Sequence, residues 1–165
     1  PAALAVARFR DFLAAVGKDG DPALMCQLYQ TSLGEDCTPI HDALRVCSIL
    51  HERGYKLSII TNGRSTTQHS RLSHSELTPM ISDLFISEEL GCQKPKTEFF
   101  DAVFSKLQIP VSKALVIGDS LTSDIIGGIQ YGIDTCWFNP NGSDNTMSQT
   151  PTYEIKQLSE LLSIL

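Results

Sequence analysis

The sequence predicts an α/β fold in which a parallel, Rossmann-like sheet is flanked by helices. From residue 56 onward, short apolar runs alternate with amphipathic helical patterns, as is typical of parallel strands joined by helical crossovers. Ahead of that region, two helical patterns rich in Ala and Leu are separated by Gly17-Lys18-Asp19-Gly20. We therefore expect a small helical segment over residues 1–37 and an α/β core over residues 38–165.

The predicted elements follow from the apolar periodicity and from the glycine and proline residues that interrupt it. In the N-terminal segment the helical patterns cover residues 2–16 and 22–33. Thr38-Pro39 predicts the start of a further helix that ends at Gly54. The core then contains predicted strands near 56–61, 84–87, 114–118 and 134–138, and predicted helices near 65–76, 97–107, 121–131 and 157–164.

Two aspartates follow the predicted strand that ends at Ile117. Asp119 lies directly after this strand, and Ser120 is placed to cap a helix on which Asp124 lies about one turn further on. Ligands collect at the carboxyl ends of parallel strands, and two converging carboxylates repel each other unless a cation lies between them. Hard oxygen ligands favour Mg²⁺ over zinc. The alternative is that Asp119 is a turn residue and Asp124 an acid in the first turn of a helix.

The predicted strand that begins at Lys56 ends in the small polar residues Thr61-Asn62-Gly63. A hydroxyl, a side-chain amide and free backbone N–H groups at a strand end can bind phosphoryl oxygens, and Gly63 permits close approach of a ligand. Asn-Gly is also a hairpin signal, but Ser65-Thr66-Thr67-Gln68 has the pattern of a capping box. The pattern therefore predicts a strand, a turn and a helix.

Lys94 precedes another predicted helix. The apolar face of that helix carries Phe99, Phe100, Val103, Phe104 and Leu107. Because Pro95 suits the first turn of a helix, we expect Lys94 at the junction between loop and helix. Its simplest alternative is a solvated surface charge.

The order of these motifs resembles the haloacid dehalogenase superfamily. Phosphatases of that superfamily carry Thr or Ser in a second motif, Lys in a third and an acidic pair in a fourth, which Thr61, Lys94, Asp119 and Asp124 match in order. The resemblance covers the chain from about Thr38 to its last residue.

Three stretches are most similar to the branch that contains pyrimidine 5'-nucleotidases with a helical cap. They are Ser58–Gly63, Phe85–Gly91 and Asp124–Gly128. The resemblance thus implies that residues 1–37 are part of a helical cap, and that the protein is a magnesium-dependent phosphomonoester hydrolase, more narrowly a nucleoside 5'-monophosphate nucleotidase.

The resemblance also implies roles for individual residues. Asp119, aided by Asp124, would hold Mg²⁺. Thr61 and the backbone of Asn62 and Gly63 would bind phosphoryl oxygens. Lys94 would bind phosphate as well and would neutralise the charge that develops in the transition state, so Thr61 and Lys94 would act in catalysis.

The first motif of the superfamily is absent from this chain. In that motif an Asp-x-Asp-x-Thr or similar sequence follows the first strand and supplies the nucleophile that forms an aspartyl-phosphate. Asp19-Gly20-Asp21 follows no predicted strand and is followed by Pro22. We interpret the chain as the C-terminal part of a longer protein, with a core that lacks its first strand, and we expect it to be inactive alone.

Composition excludes several other classes. With 13 basic and 19 acidic residues, the net charge of −6 disfavours nucleic acid as a partner. No apolar run is long enough to span a membrane. The five cysteines form no C-x-x-C pair, which favours reduced thiols and a cytoplasmic protein over a disulfide framework or a zinc site. The expected partner is a small phosphorylated metabolite; the oligomeric state stays open.

Two alternatives share the fold. A haloacid dehalogenase uses an aspartate nucleophile without magnesium, so the acidic pair Asp119 and Asp124 disfavours it. A binding module that has lost catalysis would have no need to keep Thr61, Lys94 and both aspartates together.

Overall fold

The computed structural model describes residues 2–165 and confirms the α/β class with parallel strands. The strands are β1 (Leu57–Thr61), β2 (Ile81–Ile86), β3 (Leu115–Gly118), β4 (Asp134–Phe138) and β5 (Tyr153–Ile155). The helices are α1 (Ala2–Val16), α2 (Pro22–Glu35), α3 (Ala43–Glu52), α4 (Ser65–Ser73), α5 (Ser87–Leu90), α6 (Thr97–Leu107), α7 (Ile126–Tyr131) and α8 (Leu161–Ile164). A π-helical turn over Leu121–Ile125 precedes α7.

The chain divides into two compact units. One contains the residues up to Thr38 together with Thr66–Ser75, and the other contains Pro39–Ser65 and Glu76–Leu165. In the first unit, the Thr67 hydroxyl on α4 donates a 3.0 Å hydrogen bond to Gln30 on α2. A methyl group at Gly34 would lie 3.1 Å from the Ser70 hydroxyl oxygen, so α2 and α4 approach closely there.

Helices cover both faces of the strands in the second unit. One apolar cluster joins α6 to β2 and β3 and contains Phe85, Phe99, Phe100, Val103, Val116 and Ile133. The other joins α3 and α8 to β4 and β5 and contains Val46, Leu50, Cys136, Ile155 and Leu161. Val116 lies in the first cluster and its neighbour Leu115 packs against the second, because successive side chains of a strand point to opposite faces.

The strands form two separate sheets. β1 pairs with β2, and β3, β4 and β5 follow one another in the second sheet. Each of these pairings is parallel. A cavity of about 400 Å³ lies between β1 and β3. Its walls include Leu57 and Ile60 from β1 and Val116 and Ile117 from β3, with side chains of α3 and α6 around them.

Several predicted boundaries were wrong. The helix expected to open at Thr38-Pro39 begins at Ala43, after Asp42 in a left-handed conformation (φ 65°). The helix predicted near 97–107 is confirmed as α6, Thr97–Leu107. β2 begins at Ile81, earlier than predicted, and the region 157–164 forms a 3₁₀ turn followed by the short α8. β5 was not predicted.

Candidate active site

Lys94, the one cation among the predicted site residues, is buried. Its side chain is 6% exposed, and its Nζ donates hydrogen bonds to the carbonyl oxygen of Ile60 (2.7 Å) and to Oδ1 of Asp124 (2.6 Å). Ile60 belongs to β1, so these bonds hold the ammonium group beside the carboxyl end of that strand. An ammonium group has three donors, so two acceptors leave one donor for a ligand oxygen.

Asp124 lies in the π-helical turn after β3, and it is buried with 7% of its surface exposed. The N–H groups of Asp124 and Ile125 both donate to the carbonyl oxygen of Ser120, at 3.0 and 3.2 Å. The i to i−5 bond from Ile125 widens this turn, a feature that is frequent at functional sites. Oδ2 of Asp124 accepts a 3.3 Å hydrogen bond from the backbone N–H of Ser120.

Gly118 makes room for the Asp124 carboxylate. A Cβ atom at Gly118 would lie 2.5 Å from Cβ, Cγ and Oδ2 of Asp124, closer than non-bonded atoms approach. The last residue of β3 must therefore lack a side chain for Asp124 to turn inward toward Lys94.

Asp119 follows β3 directly and has an exposed side chain. Its backbone carbonyl oxygen accepts a 3.1 Å hydrogen bond from Nε1 of Trp137, which lies on β4 opposite Gly118. This bond fixes the peptide that carries the Asp119 carboxylate. Within residues 2–165, no group of three His, Cys, Asp or Glu side chains could hold a metal ion.

Asn62 contacts Lys94 through its side chain. Nδ2 of Asn62 donates to the Lys94 carbonyl oxygen (2.8 Å), and Oδ1 accepts from the Lys94 backbone N–H (2.9 Å). The side-chain amide is thus occupied by Lys94, which leaves the backbone of Asn62 as the group that could meet a ligand. Thr61, the last residue of β1, pairs with Ile86 of β2, and Gly63 follows Asn62 in the turn before α4.

Two predicted caps were wrong. Ser120 precedes the helical turn but its side chain makes no capping hydrogen bond; its backbone carbonyl serves the turn instead. Ser65 is the first residue of α4, and its N–H and hydroxyl donate to Glu88 (2.7 Å) and to Glu89, which lie after β2. The expected order of a strand before Asn62-Gly63, a turn at these residues and a helix after them is confirmed.

The structure adds groups that the sequence pattern did not single out. They are the carbonyl of Ile60, the missing side chain at Gly118 and the indole of Trp137. Gly118 carried a usable signal, since a glycine before a strand-end aspartate can mark a close approach. No helix among the described residues has the length and hydrophobicity needed to cross a bilayer.

The chain is similar to known hydrolases over most of its length. A sequence model of the haloacid dehalogenase-like hydrolases matches residues 3–132. The HAD-hydrolase YfnB of Bacillus subtilis is 44% identical over 159 residues, which are 96% of this chain and 67% of YfnB. The pyrimidine 5'-nucleotidase PynA of Streptococcus pneumoniae is 37% identical over 159 residues, again 96% of this chain and 67% of PynA.

Solved structures agree with these sequence relationships. The crystal structure of magnesium-bound YfnB from Bacillus subtilis superposes with a TM-score of 0.92 at 42% identity, and the match covers 98% of this chain and 71% of YfnB. The chain spans about two thirds of the length of YfnB and PynA. The match to residues 3–132 and the relatives named as HAD-hydrolase and pyrimidine 5'-nucleotidase confirm the predicted relationship, and this chain belongs to the haloacid dehalogenase-like hydrolases.

Proposed function

We propose that this chain provides the phosphate-binding and metal-binding groups of a magnesium-dependent phosphomonoester hydrolase whose substrate is a nucleoside 5'-monophosphate. The contact that carries the proposal is the 2.6 Å ion pair between Lys94 and Asp124. It places a buried cation and a buried carboxylate together where β1 and β3 end, and a phosphate with a divalent metal needs both charges there.

The carboxylate oxygens of Asp119 and Asp124 are of the type that Mg²⁺ prefers as ligands. Asp119 has an exposed carboxylate at the end of β3. Lys94 occupies Oδ1 of Asp124, whereas Oδ2 accepts a single 3.3 Å hydrogen bond from the Ser120 N–H and keeps a lone pair for a further ligand. Hard carboxylate oxygens suit Mg²⁺, which commonly takes only one or two of them and keeps several waters. Asp119 is the stronger candidate for a direct ligand, whereas Asp124 could act through water. When bound, Mg²⁺ would offset the repulsion between an anionic phosphate and an attacking carboxylate.

The proposed phosphate-binding groups lie at the carboxyl end of β1 and in the loop before α6. The Thr61 hydroxyl and the backbone N–H groups of Asn62 and Gly63 are small polar groups that directly follow Ile60 in the chain, and the Ile60 carbonyl holds Lys94. The third donor of Lys94 would meet a phosphoryl oxygen and stabilise charge that develops during transfer. Thr61 and Lys94 are therefore the proposed catalytic residues of this chain.

The nucleophile of the proposed reaction comes from a segment outside this chain. An aspartate of that segment would attack the phosphorus and break its bond to the nucleoside oxygen, and the nucleoside would leave as its alcohol with a proton from the second acid of the same motif. Water would then hydrolyse the aspartyl-phosphate to inorganic phosphate and the free aspartate. The separation of β1 from β3 and the cavity between them support this part of the proposal, since one further strand there would present its carboxyl end beside Lys94 and Asp119.

The substrate class and location are argued from the relatives and the thiols. PynA and the Escherichia coli protein YjjG, 34% identical to this chain, are named as pyrimidine 5'-nucleotidases, and we extend that substrate class to this protein. The five cysteines of the sequence are free thiols, which suits the reducing cytoplasm.

The metal site can be tested without turnover because the chain has a single tryptophan. Trp137 donates to the Asp119 carbonyl, so Mg²⁺ binding at Asp119 should change its fluorescence. The titration uses a form of the protein extended by its upstream coding sequence, with every tryptophan of that extension replaced by phenylalanine so that Trp137 alone is observed. Asp119→Asn should abolish the change, whereas Asp144→Asn, an equal charge loss in the exposed loop after β4, should leave it intact. An unchanged titration for Asp119→Asn would reject the proposed site.

Activity is tested with p-nitrophenyl phosphate and with nucleoside 5'-monophosphates. The 165-residue chain alone should hydrolyse neither above the level of its own Asp119→Asn variant. The upstream-extended protein should be active with Mg²⁺ and should lose activity with chelator. Magnesium-dependent turnover by the 165-residue chain itself would show that no external nucleophile is needed; dehalogenation by the extended protein without metal would favour the alternative reaction.

A further inference from the structure

The side chain of Asn62 is bound to the backbone of one residue, Lys94, through both of its polar atoms. Its NH₂ group donates to the Lys94 carbonyl at 2.8 Å and its oxygen accepts the Lys94 N–H at 2.9 Å. The two residues are 32 positions apart in sequence. The amide therefore links the loop after β1 to the loop before α6.

A carboxamide is the side-chain group that suits this arrangement. The N–H and C=O of Lys94 both face the Asn62 amide, as the N–H and C=O of one residue do in a hydrogen-bonded strand pair. Closing both bonds takes one donor and one acceptor on the same planar group, which Asn and Gln have. Aspartate offers acceptors alone, and serine offers a single oxygen.

Lys94 is held by hydrogen bonds both at its backbone and at its ammonium group. Its ammonium group is held at the far end of the side chain by Ile60 and Asp124, and its backbone is held by Asn62. Ile60 and Asn62 flank Thr61 on the same strand end. Lys94 is thus fixed at both ends against the segment that carries Thr61.

We infer that Asn62 is a positioning residue for Lys94: its side chain sets the location of the ammonium group relative to Asp124 and Thr61, and does not contact substrate. The catalytic role of Lys94 in this inference rests on the proposed function. The placement of its ammonium group can be measured independently of any reaction.

The first arm of the test measures the accessibility of the Lys94 amine in the upstream-extended protein. Limited acetylation followed by mass spectrometry gives its labelling rate relative to exposed Lys113. Asn62→Ala should raise the relative rate of Lys94 roughly three- to tenfold, the increase in local opening that one or two lost hydrogen bonds produce. Asn62→Asp keeps the acceptor for the Lys94 N–H but sets a carboxylate oxygen against the Lys94 carbonyl, so it should also raise the rate.

Asn139→Ala is the matched control. Asn139 is 3% exposed, donates to Ser143 and Glu154 and accepts from the Ser143 N–H, so its loss also removes side-chain hydrogen bonds from the second unit. Because it does not touch Lys94, it should leave the relative labelling of Lys94 unchanged. An equal rise in Asn139→Ala, or no rise in Asn62→Ala and Asn62→Asp, would overturn the inference. Should Asn62→Ala fail to fold, the Asn62→Asp comparison decides in the same way.

The second arm measures phosphatase kinetics of the same variants. Asn62→Ala should lower kcat by on the order of a hundredfold with a small change in KM, since displacing a catalytic group by about 1 Å has that effect. The substitution should have little further effect in a Lys94→Ala background. Full activity of Asn62→Ala would contradict the inference. If Lys94 labelling responds as expected while the wild-type protein hydrolyses no phosphomonoester, the positioning stands and the proposed function fails.

Discussion

At the level of single residues, Gly118 controls whether Asp124 can face Lys94. Gly118→Ala would place a methyl carbon 2.5 Å from the Asp124 carboxyl group. Either Asp124 or β3 must then shift, and we expect a loss of about 1–3 kcal/mol in the free energy of unfolding, as for other overpacked sites. Urea denaturation of the variant and the wild type measures this loss.

Gly20→Ala provides the comparison for that measurement. A methyl group there would lie 3.2 Å from Cδ2 of Leu13, the end of a flexible side chain that can move aside. The expected cost is correspondingly small. Equal stability of Gly118→Ala and wild type would mean that the Asp124 side chain has another low-energy position.

Cys136 predicts a dependence of stability on alkaline pH. This thiol is fully buried in β4, and burial, with a smaller contribution from the charge of Glu160, raises its pKa from 9.0 to about 11. The folded state then holds the thiol proton more tightly than the unfolded state. Its contribution to stability is present below about pH 9 and is lost as pH rises toward 11, by up to about 1.4 kcal/mol per pH unit.

Burial also raises the pKa of the Cys47 thiol and of Tyr131, so these groups add to the pH dependence of the wild type. Comparison with Cys136→Val isolates the contribution of Cys136, because the other two groups are present in both proteins. We expect the difference in unfolding free energy between wild type and Cys136→Val to change steadily across that alkaline range. Urea denaturation at several pH values measures it. Parallel pH profiles for the two proteins would contradict the raised thiol pKa.

At the level of elements, the ion pair of Lys94 and Asp124 joins the loop before α6 to the turn after β3. Both partners are buried, so removal of one leaves an uncompensated charge in the interior. We expect Lys94→Met or Asp124→Asn alone to cost about 3–5 kcal/mol. The double variant leaves no unpaired charge and should cost less than the sum of the single variants. Urea denaturation of the three variants completes the cycle.

A surface ion pair serves as the control for that cycle. Lys106 and Asp83 lie 3.0 Å apart, but the lysine side chain is 61% exposed. Lys106→Met should therefore cost less than about 1 kcal/mol. Additive costs for Lys94→Met and Asp124→Asn would indicate that the buried pair is not energetically coupled.

The order of the elements was predictable because their apolar patterns are long and regular. The alternation from β1 to β4 was read from runs such as Ala114–Ile117 and from the helical spacing of the phenylalanines in α6. β5 has three residues, Tyr153–Ile155, too few for any periodicity, and it is a strand because it pairs with β4. The late start of α3 depends on a left-handed Asp42, which local propensity does not favour.

The sequence predicts candidate site residues by type and position, but not the contacts between them. Strand-end positions predict Thr61 and Asp119 as candidates, since parallel strands bring their carboxyl ends to one edge. Lys94 is predicted at the junction between loop and helix, and Asp124 about one helical turn beyond Ser120. The engagement of Asn62 by the Lys94 backbone joins loops 32 residues apart, and no local pattern encodes such a pairing. The same holds for the bond from Trp137 to the Asp119 carbonyl.

At the level of the whole molecule, the two sheets of the second unit are separated where β1 and β3 face a common cavity. Ile117 is 38% exposed although it lies inside β3, whereas its neighbour Val116 is buried. Strand edges with unsatisfied N–H and C=O groups are aggregation templates. A strand lies about 4.8 Å from each of its two neighbours. A parallel strand between β1 and β3, with apolar residues on both faces, would meet helices on either side of this cavity.

We therefore predict that the 165-residue chain alone is poorly stable and gains stability from a peptide encoded by its upstream strand and following loop. At a peptide concentration about 100 times Kd, the thermal midpoint should rise by about 5–10 °C. Trp137 fluorescence follows the unfolding. Phosphatase activity, which the peptide should confer in the presence of Mg²⁺ because it carries the nucleophile, is measured in the same samples. A version of the peptide with proline at its central position cannot complete the hydrogen bonds of a strand and should have no effect.

Ile117→Lys tests whether the peptide acts at this cavity. Because Ile117 is already partly exposed, a lysine there should change the stability of the chain alone little, while a charge on the wall of the cavity should prevent an apolar strand from inserting. The variant should thus lose both the rise in thermal midpoint and the activity that the peptide confers on the wild-type chain. A sharp transition at high temperature for the chain alone, unchanged by the peptide, would mean that β1 to β5 are a complete set of strands and that the cavity does not receive another.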